Sequence, residues 1–461
     1  MPYMQGPQSD ARYLDARRGK DSKVAKSVRI AAAIALLVAA YGVATWTIGR
    51  AVEQRLRDGH AQFSALTGID AQLVEYRRGL RGAAARTALA LPGVAEPVMV
   101  VHHVAHGPWL GGRAFGLARI DSQSTPGDAA LAAGALPHYA LRTHVGLRGD
   151  THLTLTGQPW SATDALGRTV AVQPLHAQGQ IGASAQHVTG TLEWEGLLWR
   201  DGAGGTVQWR GLRGQAQFDR IAGRRHLYAG QAQLDVMHWD MGWPAAPHAD
   251  EDATRLQLRE ASFTLESILE GEWLQWQMQA SAAFAQYGAE EFGPVQTRAQ
   301  LHQLHAATFD ALLARLVPML QVGNGVAVMQ QLPLAEQTAL REQAAALFGH
   351  GLTLVLGPLQ ARVADGQIQA EAQLAAPTLT ALDLQFLPMS LVSRLDARMQ
   401  LQLPQALATR WLGTDGVANL VAQHLAEQVG ADLRADWVVR DAQLRINGRP
   451  VHPALPGQLL D

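Results

Sequence analysis

Three closely spaced histidines, His102, His103 and His106 in the run VHHVAHGPW, are the residues whose type first suggests chemistry. Imidazoles ligate metals and exchange protons near neutral pH. Their spacing argues against one shared ion. In a strand, His102 and His106 share a face but stand about 13 Å apart, too far for a single metal. A turn could bring His103 to His106, yet no cysteine or neighbouring carboxylate completes a site. The expectation is a structural role beside the Gly107-Pro108 turn, with no metal bound.

Other chemistry-bearing groups are dispersed. The triplet Asp250-Glu251-Asp252 reads as a solvated loop in preference to a calcium site. Trp194, Trp199, Trp209 and Trp276 fall in strand patterns and could form a sugar or lipid platform, although packed core is the plainer reading. The chain has no HExxH, no G-x-S-x-G elbow, no dinucleotide-binding glycine pattern and no P-loop. Paired carboxylates could still meet in space, as a glycosidase requires, but no pair among 40 acidic residues is singled out by spacing. No catalytic residue is nominated, and no cofactor is implied.

Composition narrows the field further. Cysteine is absent, which excludes disulfides, thiolate metal sites, a cysteine nucleophile and lipoprotein acylation. The only lysines are Lys20, Lys23 and Lys26, so no later segment can supply a Schiff-base lysine. Residues 1–29 carry seven basic and three acidic groups; removing these from 38 and 40 leaves 31 basic and 37 acidic residues. That remainder offers no broad surface for nucleic acid.

The elements that would position these residues begin with the run Ile30 to Ile48, nineteen residues without a charge, between Arg29 and Arg50. At helical rise this spans roughly 30 Å, the thickness of a bilayer core. Tyr41 and Trp46 suit the far interface, and the basic excess before the run predicts a cytoplasmic amino terminus with the remainder exported. A cleaved signal peptide, with Gly42-Val43-Ala44 as its site, is the alternative. Against it, the apolar run continues to Ile48, and Val52, Leu56, Phe63 and Leu66 predict that a juxtamembrane helix follows over 49–68.

Beyond Gly68 the dominant signal is period-two alternation. Leu153 and Leu155, Leu192 and Trp194, Leu256 and Leu258, and Leu274, Trp276 and Met278 each alternate with polar residues. This pattern predicts antiparallel strands with one apolar and one wet face. Asp201 to Gly205 and Ala364-Asp365-Gly366 read as hairpin turns. The period changes over 303–349, where Phe309, Leu312, Leu316, Leu340 and Leu347 predict two or three helices, and again over 405–429. Strands are expected at Leu352 to Leu356, Ile368 to Leu374, Met399 to Leu403 and Trp437 to Ile446, and a loop at Pro244 to Asp252.

Tyr76-Arg77-Arg78-Gly79-Leu80, the later His106-Gly107-Pro108, and the closing Leu444-Arg445-Ile446-Asn447-Gly448 with Pro450 and Val451 occur in an order that resembles the YdgA-like family of bacterial envelope proteins. The resemblance runs from Ile30 nearly to the end. It departs after Gly79, where Leu80, Arg81 and Gly82 replace an aromatic and a serine, and in the longer amino-terminal tail. It implies inner-membrane attachment and a periplasmic domain, and it brings no activity, the family being of unknown function.

The combined expectation is an α+β chain: a basic tail over 1–29, a transmembrane helix over 30–48, a juxtamembrane helix over 49–68, and a β-rich periplasmic domain over 69–461. Its large, mostly antiparallel, elongated sheet would be covered by the late helices; a retained membrane helix and those helices argue against an outer-membrane barrel. The leading functional reading is a non-enzymatic, inner-membrane-anchored protein that binds or scaffolds itself or another envelope protein. A lipid-handling protein with an open apolar β-groove and an envelope hydrolase are the rivals. They differ in one visible feature: a lipid carrier leaves a row of apolar strand residues uncovered, whereas a hydrolase converges carboxylates or histidines in a pocket.

Overall fold

Strict alternation gives each strand two unlike faces, and the first consequence is visible from Asp70 onward. In the computed structural model the described residues lie between 45 and 451, apart from scattered positions between 46 and 69, residues 80, 381 and 442, and the stretches 91–96, 111–114, 126–137, 164–166, 244–253, 321–331, 377–379 and 384–393. The basic tail, most of the 30–48 run and the Asp250-Glu251-Asp252 loop fall outside them. Thr45, Thr47 and Ile48 are helical, as are the described residues 49–54, 56, 57, 60 and 64. Among the described residues no helix is long and apolar enough to cross a membrane.

The described strands form one open sheet in which every pairing is antiparallel and almost every strand pairs with its sequence neighbour. The series β1 (Asp70–Arg78), β2 (Gly82–Ala90), β3 (Val98–His106), β4 (Ala118–Thr125), β5 (Tyr139–Val145) and β6 (Thr151–Gly157) is an uninterrupted meander. A small hairpin, β7 (Trp160–Thr163) and β8 (Thr169–Val172), then leaves the row. It folds back along the second half of β10 (His187–Arg200), while β9 (Leu175–Ile181) joins β6 to the first half of β10.

The row continues through β11 (Thr206–Arg220), β12 (Tyr228–Trp243), β13 (Thr254–Glu270) and β14 (Trp273–Tyr287), to which the short β15 (Glu290–Phe292) adds a partner. It then passes through β16 (Val295–His305), β17 (Leu352–Val363), β18 (Gly366–Ala376) and β19 (Asp396–Pro404). A last group, β20 (Glu427–Val429), β21 (Asp432–Arg440), β22 (Gln443–Ile446) and β23 (Arg449–Val451), closes it. No pairing joins β1 to β23 among the described residues, so the described sheet is open and not a closed barrel.

Turn chemistry sets the register as expected. The Asp201 side chain accepts hydrogen bonds from the backbone N–H groups of Ala203 (2.9 Å) and Gly205 (2.5 Å), and Gly204 takes φ of 101°, closing the β10–β11 hairpin. The Ala364-Asp365 turn closes β17 on β18 in the same way the sequence predicts.

The helices depart from expectation in extent and in place. The helical stretch expected over 303–349 is α1 (Ala306–Leu320) and α2 (Leu334–Phe348), because Gln303 to His305 complete β16. The stretch expected over 405–429 is helical only as α3 (Gln405–Ala422). His424, at φ of 58°, leaves the helical path, and Glu427 to Val429 turn at Gly430 (φ 64°) to pair with β21. The single strand expected over Trp437 to Ile446 is a hairpin that turns at Asp441 (φ 51°).

Most consequential, the described helices α1, α2 and α3 do not cover the sheet. α1 and α2 pack with Ile221, Leu227, Leu274 and Leu304, all near one set of strand ends, and α3 packs through Ala408 and Val417 on Leu433 and Leu403. The reason is length. A helix of 15 residues spans about 22 Å, whereas the strands of 14–17 residues from β10 to β14 run to roughly 45–55 Å.

Candidate functional site

The histidine segment folds as β3, and the period of two sends its members to opposite faces. His102 and His106 are buried, whereas His103 is exposed. The separation of His102 from His106 along one face follows from the strand. His102 instead enters a chain of neutral groups: its Nδ1 lies 2.8 Å from Ser122 Oγ on β4, and its Nε2 lies 2.9 Å from Thr87 Oγ1 on β2. Thr87 Oγ1 also lies 3.1 Å from Nε2 of His60, in the amino-terminal helical segment.

Burial pushes His102 down to about 4, helped by His60 and His103, and burial lowers His60 as well. The His106 ring fits under Gly49, where an added Cβ would stand 2.5 Å from its Cε1. Glu53 pairs with Arg78 at 3.8 Å. These contacts fasten the helical segment that follows the apolar run onto the first strands. Among the described residues no three His, Cys, Asp or Glu side chains are placed to hold a metal.

The tryptophans divide. Trp194 and Trp209 meet edge to face at 5.1 Å, and Trp276 meets Phe309 of α1 at 5.4 Å while its Nε1 donates to Ser267 Oγ at 3.0 Å. These three pack within the fold. Trp199 is more exposed, at 36%.

A broad concave feature lies on the sheet itself. Reading partners across the ladder from β6 to β22 gives Leu153, Gly179, Gly190, Ala216, Ala232, Leu265, Met278, Ala299, Leu356, Ala372, Met399, Trp437 and Ile446. Thirteen strands therefore place an apolar or aromatic residue, or glycine, in one continuous row, about 55–60 Å long at ordinary strand spacing. A parallel row runs Leu155, Ala177, Leu192, Gly214, Leu234, Phe263 and Ala280. Small residues form much of the floor, and Leu and Met side chains stand above it.

Sheet twist turns this face into a trough with a cavity of about 810 Å³, touched by strands from β10 to β19. Its larger side chains remain open to water: Met278 is 57% exposed, Leu356 44% and Leu265 39%. A second cavity of about 430 Å³ shares Leu359 with the first and runs to Phe292 and Trp411.

The opposite face is of another character. One residue along each strand, the row becomes His152, Gln180, Thr189, Gln217, Gln231, Glu266, Gln277 and Gln300. Glutamine side chains bond across strands, Gln215 to Gln233 at 3.1 Å and Gln300 to Gln277 at 3.0 Å. A polar hollow of about 640 Å³ lies here.

Sequence reasoning placed Leu192, Met278 and their neighbours on an apolar face but did not nominate them as a site. The signal was available in the hairpin turns, which align Gly190 with Ala216 and Leu356 with Ala372. His60, Thr87 and Ser122 carried no such signal, being ordinary residues far apart in sequence.

A family model describing a bacterial protein of unknown function, DUF945, matches residues 25–454. No curated protein and no solved structure matches the chain.

Proposed function

We propose, from the premise that the chain belongs to the DUF945 family of bacterial proteins of unknown function, that its trough binds the hydrocarbon chains of lipid. The observation that carries this reading is the thirteen-strand apolar row with exposed Leu265, Met278 and Leu356. A soluble surface rarely leaves a continuous apolar strip without an occupant. The cavity of about 810 Å³ falls within the size of small-molecule sites, and its floor of glycine and alanine suits an unbranched chain. Each buried methylene contributes about 0.8 kcal/mol, so a long chain gains affinity from length alone.

The scaffold reading rested on late helices covering this face. The described helices lie at the strand ends instead, and the uncovered apolar row supports the lipid-handling reading over the scaffold. The apolar run over 30–48 fits the same reading as an inner-membrane anchor, with the basic tail in the cytoplasm and the trough in the periplasm.

Met278 and Gln277 are adjacent and face opposite sides, which supplies an internal control. A photoreactive phenylalanine analogue placed at either position in the full chain, irradiated in intact cells, should yield lipid adducts at 278 and not at 277. Protein cross-links at 278 without lipid would return the scaffold reading to first place.

A further inference from the structure

The second cavity opens off the trough at Leu359 and ends under α3. Its outer limit is the pair Phe292 and Trp411, with ring centroids 6.5 Å apart. Leu256, Ile368 and Leu403 line it together with Tyr287 and Gln286, whose amide donates to Gly288 O, and among the described residues no ionised side chain lines it. Next to Trp411 in sequence, Arg410 bonds Glu290 at 2.7 and 3.0 Å and Asp365 at 2.5 Å. That arrangement ties α3 to β15 and to the β17–β18 turn. Gly413, at φ of 75°, breaks α3 just after Trp411, so the segment bearing Trp411 is held by buried Leu407 and Ala408 together with the Arg410 ion pairs. Trp411 itself is 53% exposed and contributes little to the core.

We propose that Trp411 and Phe292 form the closed end of the trough, the place where the terminal methyl of a bound acyl chain stops. This rests on the lipid reading above and names the part of the lipid that lies there. The lining decides between occupants. An extended peptide would bring an N–H and a C=O with every residue into a cavity whose accessible surface is apolar. A headgroup would leave its charge unpaired. A methylene chain has neither defect. The residue at the stop then sets the longest chain that can be fully buried.

The test uses the full-length protein in detergent micelles and saturated fatty acids of rising length carrying a diazirine at the terminal carbon. After irradiation and digestion, label should map to the peptides containing Phe292 and Trp411, and unlabelled phospholipid should displace it. In wild type, affinity should level off at a particular length. In Trp411→Ala it should continue to rise by about fourfold per added methylene beyond that length, whereas Trp411→Phe should keep the wild-type limit. Saturable label confined to peptides around Met278 and Leu356 would overturn the stop while leaving the trough occupied. Absence of saturable label anywhere would overturn the lipid reading itself. The wild-type map decides the matter even if Trp411→Ala does not fold.

Discussion

The Thr87 hydroxyl lies 2.9 Å from His102 Nε2 and, on its other side, 3.1 Å from His60 Nε2. A hydroxyl has one proton to give, so it donates to one imidazole and accepts from the other. Neither ring needs a charge for this. Each link from His60 to Ser122 can be made by neutral tautomers, and the chain joins a helical segment to the sheet through bonded groups 15 to 27 residues apart.

Protonation should therefore weaken the fold. Unfolded His102 titrates near 6.5, and burial lowers the folded value to about 4, so below pH 6.5 the unfolded chain binds the extra proton. Stability falls as pH drops from about 6.5 to about 4 and no further from this residue below that, with a span on the order of 3 kcal/mol. His60 and His106 are lowered too and act in the same direction. Denaturant midpoints measured across this range should show the fall in wild type and a shallower one in His102→Gln; identical slopes would count against the assignment.

Thr87→Val keeps the shape of the side chain and removes its hydroxyl, leaving two buried ring nitrogens without their partner. A loss of roughly 1–3 kcal/mol is expected. Protease cleavage between residues 49 and 68 should quicken as well, which a general loss of stability without local release would not produce preferentially.

Leu274 and Met278 stand on the same face of β14, one wholly buried beneath α1 and the other 57% exposed in the trough. Leu274→Ala should cost about 2–5 kcal/mol. Met278→Gln should change stability by less than about 0.5 kcal/mol, yet reduce lipid photolabelling of the trough. Equal destabilisation by the two would mean that the trough is a packed surface in solution.

The proposed topology is checked by fusions. A reporter active only after export should work when joined after Asp461 and fail when joined before Ile30; activity of a cytoplasm-only reporter at the carboxyl terminus would refute it.

Strand character was legible wherever one face alternates, as at Leu192 and Trp194 or Leu274 to Met278, because the period of two is a local property. The turn at Asp201 was legible for the same reason. What covers a face is not local. Phe309, Leu312 and Leu347 announced amphipathic helices, but their hydrophobic stripe is the same whether it lies over the middle of a sheet or caps the strand ends, and the described helices lie at the ends. His424 and Asp441 adopt left-handed backbone without the usual glycine, so the end of α3 and the β21–β22 turn had no marker. The histidine cluster drew notice for its density, while its partners His60, Thr87 and Ser122 lay on three other segments.

An open meander has no fixed number of strands. Adding one hairpin, as the β7–β8 excursion shows the chain can absorb, would lengthen such a sheet by about 10 Å and leave every other pairing in place. Closed barrels lack this freedom, since tilt, shear and strand number are bound together. In this architecture the length of the apolar row is thus an adjustable quantity: duplication or loss of two neighbouring strands can change it one hairpin at a time.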